Sequence, residues 1–111
     1  MGDRIHLGQF EFMTLVAMMR LQNDAYGVAI AREIKAASGR NVALASLYLT
    51  LGRLETKGLV KSTLGEPTPE RGGRAKTYFK VTAKGMREVR DARSALMALW
   101  NGVPELTGET R

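Results

Sequence analysis

The sequence predicts a mainly helical protein with one small antiparallel β-hairpin. Apolar residues recur at helical spacing in four stretches, and two short runs near residues 59–64 and 76–82 alternate apolar with polar residues. Turn-forming residues separate these segments. A chain of 111 residues, 44% of them hydrophobic, is long enough to form one modest core.

The first two helices are predicted from Leu7 to Leu21 and from about Tyr26 to Ser38. Asp24 can cap the second helix by accepting hydrogen bonds from its first backbone N–H groups, and Gly39 suits the left-handed residue that ends it. The residues expected to face inward are Phe10, Met13, Val16, Ala17, Met18 and Leu21 in the first helix, and Tyr26, Ile30, Ile34 and Ala37 in the second.

A third helix is predicted to begin at Ala45 or Ser46 and to end at Gly58. Its inward face consists of three leucines: Leu47, Leu51 and Leu54. The opposite face carries small side chains, one leucine and one arginine: Ala45, Leu49, Gly52, Arg53 and Thr56. Glycine costs a helix about 1 kcal/mol relative to alanine, and solubility does not require a leucine. We therefore expect another molecule to approach this face closely.

Two strands, Leu59 to Leu64 and Lys76 to Thr82, are predicted to form the hairpin. The connection between them, about Glu66 to Ala75, is longer than a tight turn needs and predicts a projecting wing with the sequence Arg71-Gly72-Gly73-Arg74. Glycines let such a backbone enter a groove, while arginines can reach phosphates.

Basic residues are concentrated in the second half of the chain. The stretch from Arg71 to Arg93 holds eight basic and two acidic residues, which accounts for the whole net charge of +6. A patch of this kind suits a polyanion, and the alternative is a solvated face that serves only solubility.

The last helix is predicted to be capped by Thr82, to continue to about Asn101, and to stop at Gly102 and Pro104. Its side chains at spacings of three and four form a stripe that can fold back on the domain or pair with a second copy. That stripe consists of Met86, Val89, Arg93, Leu96 and Trp100, with Ala92 and Leu99 beside it.

The composition argues against an enzyme. The chain has no cysteine for a thiolate metal site, and its one histidine, His6, lies in an N-terminus expected to be flexible, which argues against a histidine-rich metal site and a Ser/His/Asp arrangement. No Gly-Lys-Ser/Thr follows the wing glycines, as a phosphate loop requires. We expect no cofactor and no metal. The apolar runs are too short to span a bilayer and no signal peptide is visible, which predicts a cytoplasmic protein without membrane contact.

Three helices, a hairpin with a basic tip and a fourth helix follow the order of a winged helix-turn-helix domain. Within that order, the chain resembles the PadR-like transcriptional regulators over about Leu7 to Trp100. The matching motifs are Tyr26-Gly27, Leu47-Tyr48-x-x-Leu51-x-Arg53-Leu54-Glu55-x-x-Gly58-Leu59, Arg71-Gly72-Gly73-Arg74-Ala75-Lys76-Thr77-Tyr78, and Thr82-Ala83-Lys84-Gly85. The chain departs from the commoner pattern where Ala45-Ser46 replaces glycine-threonine and Leu49 replaces proline.

The resemblance implies a homodimeric repressor that binds double-stranded DNA at a pseudo-palindromic operator. It implies a winged helix-turn-helix DNA-binding domain over residues 1–82, a C-terminal dimerisation helix over residues 83–102 in the same compact unit, and a flexible tail over residues 103–111. The residues expected at the dimer interface are Met86, Val89, Arg93, Leu96 and Trp100.

The candidate DNA contacts lie on the third helix and on the wing. They are Ser46, Tyr48, Leu49, Arg53, Arg71, Arg74 and Lys76. The Tyr48 hydroxyl can donate to a phosphate, and the alternative is a tyrosine that only packs on the core. Ser46 can cap the helix, bind a phosphate, or do both.

Two further candidates carry their own alternatives. Arg53 can read a guanine or hold a phosphate, and the alternative is an ion pair with Glu55 or Glu33. Leu49 can touch a thymine methyl group. Trp100 is expected to pack, and the alternative is a platform for a small-molecule effector.

Two other kinds of protein remain compatible with the sequence. One is a winged-helix module whose partner is a protein, and the other is an architectural protein that binds DNA without sequence preference. The first should fail to bind duplex DNA at physiological salt, and the second should bind its own promoter and random duplex equally.

Overall fold

The computed structural model describes residues 7–66 and 75–104. It contains four helices, α1 (Gln9–Leu21), α2 (Gly27–Ser38), α3 (Leu44–Thr56) and α4 (Ala83–Trp100), and two strands, β1 (Val60–Leu64) and β2 (Thr77–Val81). The strands pair antiparallel, with Val60 opposite Val81 and Leu64 opposite Thr77. This order confirms the predicted mainly helical fold with one hairpin. Within the described part of the chain, no helix is long and apolar enough to cross a membrane.

The core lies where α1, α2 and α3 meet the hairpin. The three inward leucines of α3 are at most 1% exposed, which confirms the predicted inward face of that helix. In α2, Ile30 and Ile34 are buried as predicted, whereas Ala37 is exposed. Gly39 ends this helix at φ +79°, and its N–H donates to the Lys35 carbonyl, as expected of a left-handed terminal residue.

Helix α1 buries Ala17 and Met18 as predicted, but part of its buried face differs from the one that hydrophobic spacing predicts. Phe10 and Met13 are half-buried, whereas Thr14 and Leu15 are fully buried and Glu11 is 8% exposed. A buried carboxylate and hydroxyl at the centre of a helix face need polar partners, which a hydrophobic pattern does not reveal. The Thr14 hydroxyl donates to the Phe10 carbonyl at 2.8 Å, and the partners of Glu11 are described below.

The expectation that Asp24 caps α2 is wrong. Residues Gln22–Asp24 form a 3₁₀ turn, and Tyr26 is the N-cap, with extended backbone angles of φ −114° and ψ 166°. The hairpin holds this segment extended: Tyr26 forms a bridge with Tyr78, and the Phe79 N–H donates to the carbonyl of residue 25 at 2.8 Å. The helix therefore begins at Gly27.

Helix α3 also begins earlier than predicted, at Leu44, so Ser46 lies inside its first turn and does not cap it. By contrast, Thr82 caps α4 as predicted. Its Oγ1 accepts from the Gly85 N–H at 3.0 Å, and its hydroxyl donates to the Gly58 carbonyl at 2.7 Å, which ties the start of α4 to the end of the α3 segment.

The two halves of α4 have different surroundings. In the first half, Gly85 and Val89 are buried against the domain, and a Cβ at Gly85 would collide with the Leu59 carbonyl. In the second half, residues 93–100 are all exposed. Leu96 is 51% and Leu99 74% exposed, so this half presents apolar side chains that residues 7–66 and 75–104 leave open.

Candidate nucleic-acid interface

The outer face of α3 is open to solvent. Leu49 is 67% exposed, and a Cβ built on Gly52 meets no other atom within 4 Å. A shallow groove runs along this face, lined by Tyr48, Leu49, Gly52, Arg53, Thr56 and Lys57. The buried leucines on the opposite side fix the helix to the core, so the outer side chains have a defined position for contact with another molecule.

Tyr48 packs against the core and is also partly exposed. Its ring lies against the core at a centroid distance of 6.4 Å from the Phe79 ring, yet the residue is 47% exposed. The hydroxyl reaches Gly27, occupying the space that a Cβ at that position would need. Glycine at the first position of α2 thus lets the phenol lie directly against the start of this helix.

The start of α2 has no side-chain cap. The first backbone N–H groups of any α-helix have no partner within the helix, and they carry partial positive charge. A hydroxyl donor from Tyr48 is placed beside these groups. Together they form a surface suited to an anion.

Lys76 is brought to the same place. Its Nζ lies 4.0 Å from the centroid of the Tyr26 ring, and that ring packs edge-to-face on Tyr78 at a centroid distance of 5.7 Å. Tyr26 immediately precedes Gly27, the residue that the Tyr48 hydroxyl reaches. Lys76 and Tyr48, which the sequence predicts separately as DNA contacts, therefore touch adjacent residues at the start of α2.

Arg53 is exposed, and its two predicted acidic partners are engaged elsewhere. Glu33 forms an ion pair with Arg20, and the Glu55 carboxylate accepts a hydrogen bond from the Ser62 hydroxyl at 3.0 Å. Among the described residues, no ion pair joins Arg53 to either glutamate, although its charge acts on Glu11. Its guanidinium group remains on the outer face of α3.

Sequence reasoning missed an ion pair at the end of α3. Lys57 Nζ lies 2.8 Å and 2.9 Å from the two carboxylate oxygens of Glu11, and the Gly8 N–H donates to Glu11 at 2.9 Å. Burial raises the pKa of Glu11, but the hydrogen bonds from Lys57 and Gly8 and the charges of Lys57 and Arg53 together lower it below its ordinary value. The one feature of the sequence that could have indicated this ion pair is the position of Glu11 in the first turn of α1.

The remaining site residues are distributed as follows. Ser46 is exposed in the first turn of α3, while Arg71 and Arg74 lie outside the described residues. Of the residues expected at a dimer interface, Val89 is 6% exposed and belongs to the core of its own chain. The other four are exposed side chains on α4: Met86, Arg93, Leu96 and Trp100.

Three helices followed by a β-hairpin, with the third helix fixed by its inner face and open on its outer face, define a winged helix-turn-helix protein. The family model of the PadR-like transcriptional regulators matches residues 15–91, more than half of the chain. The chain belongs to this family. Its members are regulators of transcription and not enzymes.

Solved structures of family members have the same fold. A PadR family transcriptional regulator from Eggerthella lenta is 26% identical, with a TM-score of 0.67, and the match covers 86% of this chain and 80% of that one. A PadR-like transcription factor from Bacteroides fragilis is also 26% identical, with a TM-score of 0.69 and coverage of 89% and 90%.

A PadR-like regulator from Bacillus cereus has a TM-score of 0.71 over 88% of this chain and 90% of that one. At 20% identity, this third similarity supports the fold alone. None of the curated proteins matches the chain significantly.

Proposed function

We propose that the chain is a sequence-specific transcriptional repressor that acts in the cytoplasm as a homodimer on a pseudo-palindromic DNA operator. The observation that carries the proposal is the outer face of α3, which is exposed along its length while its inner leucines are buried. A helix held in this way can enter a major groove with its side chains at fixed positions.

A phosphate is proposed to bind at the start of α2. The Tyr48 hydroxyl and the first N–H groups of the helix donate hydrogen bonds, while Lys76 supplies a full positive charge beside Tyr26. Such a contact fixes the register of the protein on the duplex without reading sequence. It would position α3 for the base contacts.

The wing is proposed to supply further affinity. Arg71 and Arg74 are assigned to phosphates from the sequence alone, and the stretch from Arg71 to Arg93 accounts for the whole net charge of +6. Binding should therefore weaken steeply as salt concentration rises, because each neutralised phosphate releases counterions.

Base discrimination is assigned to α3. Arg53, which neither Glu33 nor Glu55 binds, is proposed to read a guanine through its two parallel donors. Ser46, exposed in the first turn of the helix, is proposed to bind a phosphate at the edge of the groove.

The dimer interface is assigned to the second half of α4. The chain is accordingly divided into a DNA-binding unit over residues 1–82, a dimerisation helix over residues 83–102 and a tail over residues 103–111. Leu96 and Trp100 are 51% and 41% exposed, and Leu96 also lines a groove between α4 and the residues that begin α1, among them Phe12. Exposed apolar side chains grouped in this way mark an interaction surface. Trp100 remains the candidate contact for a small-molecule effector at that interface.

Selection of genomic fragments bound by the purified protein, followed by footprinting of the best fragment, tests the proposal. We expect two inverted half-sites about one helical turn apart, because two-fold symmetry places two α3 helices in successive major grooves. Failure to bind any duplex at physiological salt would instead indicate a protein-binding module. Equal affinity for the selected fragment and a shuffled duplex would indicate an architectural protein.

A further inference from the structure

We propose that Leu49 recognises the C5-methyl group of a thymine near the centre of each operator half-site. The inference rests on the proposed function, since it names the base that this DNA-reading surface selects. It concerns the part of α3 that carries no hydrogen-bonding side chain.

Leu49 protrudes from α3 more than its neighbours on the same face. The residues one turn before and after it are Ala45 and Gly52, and both are exposed. Gly52 has open space where a Cβ would stand, so the fold of the chain itself does not require glycine there. A leucine flanked by such small residues can advance into a groove without obstruction from either side.

The position of Leu49 along α3 favours contact with bases. It lies in the N-terminal half of Leu44–Thr56, and helices of this type contact base edges with their N-terminal residues. Leu49, Ala45 and Gly52 have no side-chain donor or acceptor, so they cannot form the paired hydrogen bonds that read guanine or adenine, and Arg53, one turn further on, is assigned to a different base. Discrimination at this point must come from an apolar contact.

Thymine is the unmodified base that presents a methyl group in the major groove. Leu49 is 67% exposed in the free protein, so contact with that methyl group removes apolar surface of both partners from water. Burying one methyl group contributes about 0.8 kcal/mol, which corresponds to roughly fourfold in affinity per half-site and roughly fifteenfold for two.

The test replaces each symmetry-related pair of thymines in the selected operator by uracil, which removes only the methyl group. The wild-type protein should lose roughly fifteenfold in affinity at one pair of positions and little elsewhere. Leu49→Ala should bind the thymine and uracil operators equally. Leu64→Ala is the matched control, because Leu64 is 73% exposed but lies on β1, and this variant should keep the wild-type ratio.

A second duplex series tests the same contact by adding the methyl group. When the sensitive thymine pair is changed to cytosine, 5-methylcytosine should restore part of the affinity for the wild type and none for Leu49→Ala. If no thymine position responds to uracil, or if Leu49→Ala retains the wild-type ratio, the proposal is overturned. Both series start from a duplex that the wild type already prefers over a shuffled one. If the protein does not bind DNA specifically, that failure is therefore found before the Leu49 contact is tested.

Discussion

Lys57, directly after α3, forms an ion pair with Glu11, on the first turn of α1, with Nζ 2.8 Å from Oε2. The Glu11 side chain is 11% exposed and that of Lys57 31% exposed, so the pair is largely shielded from water. It joins the end of the proposed DNA-reading helix to the first helix of the domain, across 46 residues of sequence.

We expect Glu11→Gln to lower the free energy of unfolding at pH 7 by roughly 1–2 kcal/mol, because it removes the carboxylate charge that the Lys57 ammonium group pairs with in a partly buried site. The folded-state pKa of Glu11 is lowered, so its contribution is present above the ordinary value of 4.5 and is lost as the pH falls through the lowered value. Urea unfolding of both proteins at fixed concentration, from pH 7 down to pH 3, should show the difference shrinking only at the acid end. Glu55→Gln, at an exposed carboxylate, is the control. An equal loss of unfolding free energy in this variant would contradict the stabilising role of the Glu11–Lys57 pair.

Gly27→Ala should weaken DNA binding with a small effect on stability. The new methyl group takes the place of the Tyr48 hydroxyl, and the half-exposed ring can swing away at little cost. Losing one hydrogen bond to a phosphate should reduce affinity roughly tenfold. In a Tyr48→Ala background the same change should have no further effect on the binding isotherm. If Gly27→Ala reduces DNA affinity equally in the wild-type and the Tyr48→Ala backgrounds, its effect does not act through Tyr48.

Leu96→Arg should shift the protein from dimer to monomer. Leu96 is half-exposed on the apolar stripe of α4, and burying an unpaired charge against a second copy is strongly unfavourable. Ala98→Arg is the control, because residue 98 is exposed about 200° around the same helix. Sedimentation equilibrium should show dissociation in the first variant alone, and an intact dimer in both would remove Leu96 from the interface.

Replacing Arg71 and Arg74 together by alanine should weaken binding to all duplexes about equally and flatten the dependence of affinity on salt. Removing two phosphate contacts should reduce the slope of log K against log salt concentration by roughly 2. Arg53→Ala should instead change which operator is preferred. Titrations of selected and shuffled duplexes over a range of salt concentrations separate these two outcomes. An unchanged slope in the double variant would remove the wing from the binding surface.

The sequence predicted the elements whose stabilising contacts are local in sequence. The inward leucines of α3, the left-handed Gly39 and the Thr82 cap depend on helical spacing or on neighbours within a few residues. These patterns also identified the exposed face of α3 as the surface to examine.

The features that the sequence did not predict depend on residues far apart in the chain. Asp24 has the chemistry of a cap, but pairing of Tyr26 with Tyr78 moves the helix start to Gly27. The spacing of apolar residues does not indicate that Glu11 is buried, because its partner Lys57 lies 46 residues away in the sequence. In each case tertiary pairing overrode a local preference.

The proposed phosphate site illustrates the same limit. Tyr48 and Lys76 were each assigned to DNA from their own positions, but the contact of the Tyr48 hydroxyl with Gly27 and of Lys76 with the Tyr26 ring is seen only in the fold. Similarly, the apolar stripe of α4 can fold back on the domain or pair with a second copy, and only the fold shows that Val89 is buried in the domain while Leu96 stays exposed.

The ratio of affinities for the selected operator and for a shuffled duplex of equal length, measured at physiological salt, tests sequence-specific DNA binding most directly. We expect the operator to be bound at least about a thousandfold more tightly, as is typical of proteins that read base edges. A ratio near one would contradict the assignment of base recognition to α3, whatever the absolute affinity.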